Sequence, residues 1–550
     1  MASLEQGQIP ADREVGILKL VSALGDADDL TKLFNIAIAK KSAAHLALLE
    51  SAARLRNLKP AGDLGQLGAL LDAPEEHVRA SAARLAGLWK VEALREKLLS
   101  LLTSQDETLP KEIRIAASEG LVALGGDASK QTFTGFTTKE HPADLRLHAL
   151  AALAVLDTPA AAKLAFDVLT ETAGVSDPTP LFNAFLDQKG GPGLLAAALE
   201  GKELKSDVAK LGIRAIRNSI REEPALTEAL LKAGNIKTGA QTLTPEEMQQ
   251  LVADVSKQGD AARGEALFRR QDLSCFRCHA IGGAGAQTGP DLVSIGASAQ
   301  IDYIVDSLLN PNKQIKEGYH SLIVVNDQGK VFSGIKVTQT DRDLILRNAN
   351  GEELPIPLDT IEEQANGGSL MPAGLIDPLT RGELLDLVRF LSELGKVGPY
   401  SIGKARIVRR WQALSPEQAQ VEALKTKPVT ELPQNAELPW APVYTTVAGT
   451  LPLQDLKQFS AGKAAVSLVR ADLDVTTPGA VQLQLNSAEG LQLWLDGKPV
   501  TAATSIKLDL TAGPHQLAVA INRGVRKQSL KVELLDVAGS AAQVQILNGK

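Results

Sequence analysis

The chain reads as a multidomain protein: an α-solenoid, then an all-α region interrupted by a small β insert, then a β-sandwich. Three observations predict this. An Ala/Leu-rich helical motif recurs with a period in the low thirties over residues 10–235. Helix-start signals bracket residues 244–398, which hold both cysteines of the chain. Beyond residue 443 the apolar period changes from that of a helix to two. A length of 550 residues leaves room for about three or four domains.

In the first region Val78-Arg-Ala-Ser-Ala-Ala-Arg-Leu85, Ile113-Arg-Ile-Ala-Ala-Ser-Glu-Gly-Leu121, Leu145-Arg-Leu-His-Ala-Leu-Ala-Ala-Leu153 and Val208-Ala-Lys-Leu-Gly-Ile-Arg-Ala-Ile216 align as one helix face. Their starts lie 35, 32 and 63 residues apart, so the last interval fits two units. Ala44-His-Leu-Ala-Leu-Leu49 is an earlier, weaker copy. Such a period with paired helices signals a solenoid, in which each repeat buries its apolar face against its neighbours. Alanines let the helices approach closely. The Arg-x-Ala-Ala style resembles short HEAT-like repeats, which implies a curved surface for binding proteins rather than a catalytic centre.

In residues 244–398, Thr244-Pro245-Glu246-Glu247 is a capping box with Pro at the first helical position, and Asp260 to Phe268 reads as helix. Thr380-Arg-Gly-Glu383 opens a further helix, with Leu384, Leu387, Val388, Leu391 and Leu394 along one face. Between these helices stands Ser274-Cys275-Phe276-Arg277-Cys278-His279. Cys-x-x-Cys-His is the attachment signature of a c-type haem. Two thiols one helical turn apart can form thioethers to the two vinyl groups on one porphyrin edge, and the adjacent imidazole then meets the iron from one face. A thioredoxin-like pair would sit at a strand-to-helix junction of a βαβ unit, whereas a helix precedes this motif and a Gly-rich loop follows it. A zinc site needs further Cys or His at ligand spacing, and the other histidines are scattered singly. A Cys275–Cys278 disulfide would close too small a loop to stabilise much.

A six-coordinate haem needs a second axial ligand, usually Met or His. Met1 is the start and Met248 precedes the attachment motif, which leaves Met371 in Gly367-Gly-Ser-Leu-Met-Pro-Ala-Gly374. Met followed by Pro in a Gly-flanked loop suits a thioether presented from irregular backbone; core filler is the competing reading. His320 is the alternative ligand. A metal-bound His generally donates its other ring N–H to a carbonyl, and Pro290, in Gly289-Pro-Asp-Leu292, offers one unless it is an ordinary loop proline. The glycines between Gly282 and Gly289 lack the Gly-Lys-Ser/Thr of a phosphate loop and are expected to wrap the haem edge.

Helix, attachment loop, Met loop and helix together form a class I cytochrome c pattern. Residues 259–396 resemble the large haem-binding domain family common in planctomycete-type extracytoplasmic proteins. The matching elements are Gly259-Asp-Ala-Ala-Arg-Gly-Glu265, Cys275-Phe-Arg-Cys-His279, Gly289-Pro-Asp-Leu292, and Ser369-Leu-Met-Pro-Ala-Gly374 ahead of Leu379-Thr380. The resemblance covers about a quarter of the chain. It implies one covalently attached haem c, with His279 and Met371 as axial ligands and Pro290 as the imidazole's partner.

His279 and Met371 are 92 residues apart, generous for a minimal cytochrome. A strand-rich insert at about 319–365 accounts for the excess: Ser321-Leu-Ile-Val-Val325, a turn at Asn326-Asp-Gln-Gly329, Val331 to Val337, Leu344-Ile-Leu346, a hairpin signal at Asn350-Gly351, and Leu354-Pro-Ile356. A small barrel or meander is expected there, covering a haem edge or docking a partner.

Residues 399–442 read as a linker with one helix, capped by Ser415-Pro-Glu-Gln418 and followed by Pro428, Pro433, Pro439 and Pro442. In 443–550, alternating runs such as Val481/Leu483/Leu485, Leu491/Leu493/Leu495 and Leu517/Val519/Ile521 predict a β-sandwich. Ser487 to Lys498, with its Asp496-Gly497 turn, and Leu510-Thr-Ala-Gly-Pro-His-Gln-Leu517 resemble PA14-like sandwiches. That fold is often sugar-binding, but the paired acidic residues many members use for calcium are missing at Ser487-Ala488. The domain is read as a structural or interaction module, with carbohydrate the other reading.

Composition bounds the partners. Hydrophobic content of 44% and charge of 22% are those of a soluble globular protein, and a net charge of −7 argues against nucleic acid. No stretch reaches the length of a membrane span, and the N-terminus lacks a signal core. Haem c is normally installed outside the cytoplasm, so the expectation is a periplasmic or otherwise extracytoplasmic chain whose leader has been removed. The expected function is electron transfer rather than enzymatic turnover, between a redox partner such as a dehydrogenase and a respiratory carrier, with solenoid and sandwich as docking modules. The alternatives are a haem enzyme or a gas or peroxide sensor with a displaceable sixth ligand, and a surface carbohydrate- or protein-binding module.

Overall fold

The computed structural model describes residues 11–547 except 107, 220, 426 and 462–463, so the expected region edges at 10 and 550 lie outside the described residues. It forms two compact units, Met1–Lys237 and Thr238–Lys550.

The first unit is a helical repeat array in two layers. Ala43–Arg56, Glu76–Leu88, Lys111–Leu124, Ala143–Leu156, Thr179–Leu186 and Ser206–Asn218 pack successively in one layer. Thr158–Glu171, Gly191–Leu199 and Pro224–Ala233 do the same in the other. Every motif copy read from the sequence lies near the start of a first-layer helix. The long interval is filled by Thr179–Leu186, which keeps the place but not the motif. Cations tie one repeat to another at helix ends, where the last carbonyls have no intrahelical partner. Lys90 Nζ reaches the Leu124 carbonyl at 3.3 Å and Arg221 Nη1 the Leu186 carbonyl at 3.0 Å. Lys205 Nζ bonds the Ala173 carbonyl at 3.0 Å.

Close approach is set by glycine. A Cβ on Gly120 would lie 2.4 Å from the Ala83 carbonyl oxygen, and one on Gly87 would lie 2.2 Å from the Gly120 oxygen. Both contacts are with backbone, which cannot swing aside. Gly120→Val is therefore expected to destabilise the repeat array by roughly 2–3 kcal/mol or more, because it forces apart two buried helices. Thermal melts followed by far-ultraviolet circular dichroism check this; an unchanged midpoint would mean that the two neighbouring helices shift to accommodate the methyls.

In the second unit both capping boxes form: Thr244 and Glu247 at Pro245–Gln258, and Thr380 and Glu383 at Arg381–Glu393. Helix Ala261–Phe268 crosses Arg381–Glu393 at Gly264, where a Cβ would fall 2.0 Å from the Asp386 carbonyl oxygen. Phe268, Leu273, Ile281, Val388 and Phe390 share one apolar core, against which Cys275 and Phe276 pack. The insert is a five-stranded antiparallel sheet. Its order is Glu353–Pro357, Asp343–Arg347, Val331–Gln339, Ser321–Asn326 and Ile361–Asn366. The last strand lies on an edge and is mostly exposed, so it carries no apolar alternation to read.

Two antiparallel sheets make up the C-terminal all-β region. One is built on Ala464–Thr477, paired to Gly513–Asn522 and Arg410–Leu414; the other holds Ser505–Leu510, Gly479–Leu485, Val532–Asp536 and Arg406–Ile407. Val469, Leu473, Leu517 and Val519 of the first share a core with Val481, Leu483 and Leu508 of the second. The boundary at 443 needs correcting. Arg406–Ile407, Arg410–Leu414 and Trp440–Tyr444 are sheet strands, so much of 399–442 belongs to the β region rather than to a linker. Its helix begins at Gln418, three residues beyond Ser415. The strands escaped notice because Pro439 and Pro442 mark them as irregular, and Trp440–Tyr444 is a sheet-edge strand where proline is tolerated. Among the described residues no helix is long and apolar enough to cross a membrane.

Candidate functional site

Cys275–Cys278 form a single helical turn, entered through Ser274 in the left-handed region (φ 55°) and left through an extended His279. The His279 N–H donates to the Cys275 carbonyl at 2.8 Å. The following loop folds back over the turn: Ala286 N–H to the Phe276 carbonyl at 3.0 Å, Gly289 N–H to the Cys278 carbonyl at 2.6 Å, and Leu292 N–H to the Ala280 carbonyl at 2.8 Å. Asp291 gathers the N–H groups of Gly282, Gly283 and Val293 on its carboxylate.

That fold brings His279 Nδ1 within 2.9 Å of the Pro290 carbonyl oxygen. As a carbonyl can only accept, Nδ1 carries the proton and the lone pair is left on Nε2. Burial pulls the imidazole's pKa down against the pull of this hydrogen bond, which favours the neutral, ligand-competent ring. Gly289 cradles it: a Cβ there would come within 2.8–3.2 Å of three ring atoms. Both cysteines are free thiols. Burial pushes Cys275 up to about 12 and raises Cys278 as well. A disulfide-exchange pair needs the opposite, a depressed thiol pKa. Two neutral thiols one turn apart, a neutral imidazole with a committed Nδ1, and a glycine cradle fit a covalently held haem.

Met371 lies across the insert in sequence. It is half-buried, its N–H donates to Ser369 Oγ at 3.1 Å, and it is not among the side chains packed on the core that Met248 joins. His320 is exposed, immediately before the strand Ser321–Asn326.

Sequence reasoning missed the bracing of the helix Ala261–Phe268, which leads into the Cys-x-x-Cys turn, by the β region. Arg269 donates to the carbonyls of Thr445 at 2.9 Å and Tyr444 at 2.6 Å and pairs with Asp455. Glu265, whose pKa burial raises, accepts the Val447 N–H at 2.6 Å. The Phe276 ring stands 4.9 Å from Phe268 and 5.0 Å from Tyr444, and Ile402 lies against Gly282. Partners this far apart in sequence leave no local signal. The region 244–398 therefore does not end at its last helix; residues 400–455 complete its support.

The Asp496-Gly497 turn and the segment Leu510–Leu517 meet in space. Asp496, itself left-handed (φ 51°), accepts from His515 Nδ1 at 2.6 Å and from the Gln516 N–H at 2.8 Å. His515 Nε2 lies 2.9 Å from the Thr511 carbonyl. Both ring nitrogens thus face acceptors. Burial opposes the charge, but these bonds outweigh it and raise the pKa of His515. Stability from a raised histidine is complete below its unfolded value and is lost as pH rises through the folded one. The second unit should accordingly melt on the order of 1–3 °C lower once pH passes above the folded pKa, the size expected of one polar surface pair. His515→Gln should flatten that dependence, and melts across the pH range check it.

Arg526 satisfies the oxygens of the loop that begins at Ser487-Ala488. Its buried guanidinium donates to the carbonyls of Ser487, Glu489, Gln528 and Ser529 and to Asn486 Oδ1, at 2.8–3.1 Å. Arg526→Met should cost roughly 3 kcal/mol, since it strands several buried acceptors, whereas adding or chelating calcium should leave the wild-type melt unmoved. Calorimetry with and without chelator reads both.

Residues 66–154 match the family model for HEAT repeats, which covers the helices from Leu67–Leu70 to most of Ala143–Leu156. No curated protein matches the chain. The N-terminal region is thus a helical repeat array with HEAT repeats at residues 66–154, followed after the intervening region by all-β structure.

Proposed function

We propose that the second unit carries one haem c, which Cys275 and Cys278 would attach and His279 and Met371 would hold through the iron, and that the protein is an extracytoplasmic electron-transfer cytochrome. The observation that carries this reading is the His279 Nδ1–Pro290 carbonyl bond closing over a Cys-x-x-Cys turn of free thiols. The haem would supply a one-electron couple. The chain's own part is to hold the imidazole in one tautomer through Pro290 and Gly289, to fix the attachment turn on an apolar floor of Phe268 and Leu273, and to keep water from it. Thioether ligation favours the ferrous state and raises the potential, which suits a carrier between a dehydrogenase and a respiratory acceptor. HEAT arrays generally bind proteins, so the first unit is the natural dock for the redox partner. The C-terminal sheets, PA14-like in their Asp496–His515 junction, brace the haem region. Production in a host with a haem c maturation system, followed by a pyridine haemochrome assay, tests the reading. One haem per chain with a c-type spectrum supports it, and a chain that stays colourless in that host overturns it.

A further inference from the structure

The insert is bonded through one strand to the loop behind His279 and through another to the loop bearing Met371. From the strand Asp343–Arg347, Arg347 Nη1 donates to the Gln287 carbonyl at 2.9 Å, while its Nη2 is held by Glu353 at 2.6 Å. The neighbouring hairpin sits over Thr288: a Cβ on Gly351 would be 3.6 Å from Thr288 Oγ1, which is buried. Gln287 and Thr288 lead directly into Gly289 and Pro290, the two residues that cradle and bond the imidazole. From the strand Ser321–Asn326, on the other side of Val331–Gln339, Ser321 N–H and Oγ both donate to the Gly368 carbonyl, at 3.1 and 2.8 Å, and the Gly367 N–H returns to the Ser321 carbonyl at 2.7 Å. A Cβ on Gly367 would fall 2.3 Å from Ser321 Oγ, so that contact is already as close as it can be. Ser369 and Met371 follow at once, joined by their own hydrogen bond.

We propose that the insert is a positioning clamp, in which Arg347 and Ser321 hold the imidazole loop and the methionine loop at a fixed separation and so keep Met371 engaged as a ligand. This rests on the haem reading above. A hydrogen-bonded sheet with its own apolar core of Leu322, Val324, Leu344, Leu346 and Ile356 is stiff enough to transmit such a constraint. A sheet that served only as a docking face would need no bonds to both loops. Arg347 and Ser321 are positioning residues: neither is proposed to touch the iron.

The test uses the full haem-loaded chain and titrates the ferric protein with free imidazole, which competes with a methionine ligand. Relative to wild type, Arg347→Ala and Ser321→Ala should each bind imidazole on the order of 10-fold more tightly and weaken the far-red methionine–ferric band, as loosened loops release the thioether more often. Haem content should stay at one per chain. Arg347→Lys, which keeps a donor near the Gln287 carbonyl, should recover most of the wild-type behaviour. The titration reads only loaded protein, so a variant that loads poorly is still informative. Imidazole affinities equal to wild type in both alanine variants would overturn the clamp while leaving the haem assignment standing. A wild type with no covalent haem, or without the methionine band, would overturn the reading on which the clamp rests, and is seen before any variant is made.

Discussion

Replacing both Cys275 and Cys278 by alanine should abolish covalent haem altogether. Wild-type protein, denatured and extracted with acidified acetone, should retain haem peroxidase stain, and the double variant should fall to background. Each single variant keeps one thiol and should retain a reduced, single-thioether fraction with a shifted haemochrome spectrum. The magnitude follows from the bond type: a thioether survives denaturation, whereas coordination by His279 does not. The variants should still fold, because the thiols are half-buried at the edge of the apolar core and each replacement removes one sulfur. Wild-type protein that releases its haem freely on extraction would show that the Cys-x-x-Cys turn does not attach it. The dithiol alternative would then have to work with two neutral thiols, Cys275 with a pKa of about 12, which is the wrong protonation state for attack on a disulfide.

Legibility varied along the chain with the range of the forces involved. Repeat periodicity is written into local composition, so the copies at Val78, Ile113, Leu145 and Val208 could be placed on successive helices, and the missing copy could be counted from the interval alone. Capping boxes are local too, and Thr244 and Thr380 stand where they were expected. Four of the five insert strands carry apolar residues in short runs set off by turn signals. The fifth, Ile361–Asn366, is Ile-Glu-Glu-Gln-Ala-Asn, and only backbone pairing makes it a strand. The helical turn at Cys275–Cys278 and the His279–Pro290 hydrogen bond are what the sequence reading expected of this segment.

What the sequence did not disclose is long-range support. Arg269, Glu265 and Tyr444 look like ordinary surface or strand residues until the chain folds. Together they seat the helix Ala261–Phe268 on residues 444–455, and of the prolines that suggested a linker Pro439 precedes an edge strand and Pro442 lies within it. Arg526 is a similar case. The absence of acidic residues at Ser487-Ala488 was visible, but that a guanidinium from 39 residues away satisfies the same loop was not. Both misses are tertiary hydrogen bonds to backbone groups, which carry no residue identity to read.

Met371→Ala decides between a carrier and a ligand-binding haem protein. In the wild type a thioether on ferric iron should give its weak far-red band, and the variant should lack it, while His320→Ala, at an exposed position, leaves it intact. The potential of the variant should fall by on the order of 100 mV, a modest part of the ~0.8 V that axial ligation spans, because water or another weak ligand replaces a sulfur that favours ferrous iron. Carbon monoxide should bind the reduced variant readily and the reduced wild type poorly. The local structure supports a ligand role over a packing one. Met371 stands in a loop pinned by Ser369, Asn312 and Ser321, and it lies outside the group of side chains that fill the core. Deleting a packing methionine would lower the melting temperature and leave the spectrum alone. Deleting a ligand does the reverse: the spectrum changes first. A wild type that is already five-coordinate would remove Met371 from the iron and favour a gas or peroxide sensor, whereas a bis-histidine spectrum would turn attention to His320.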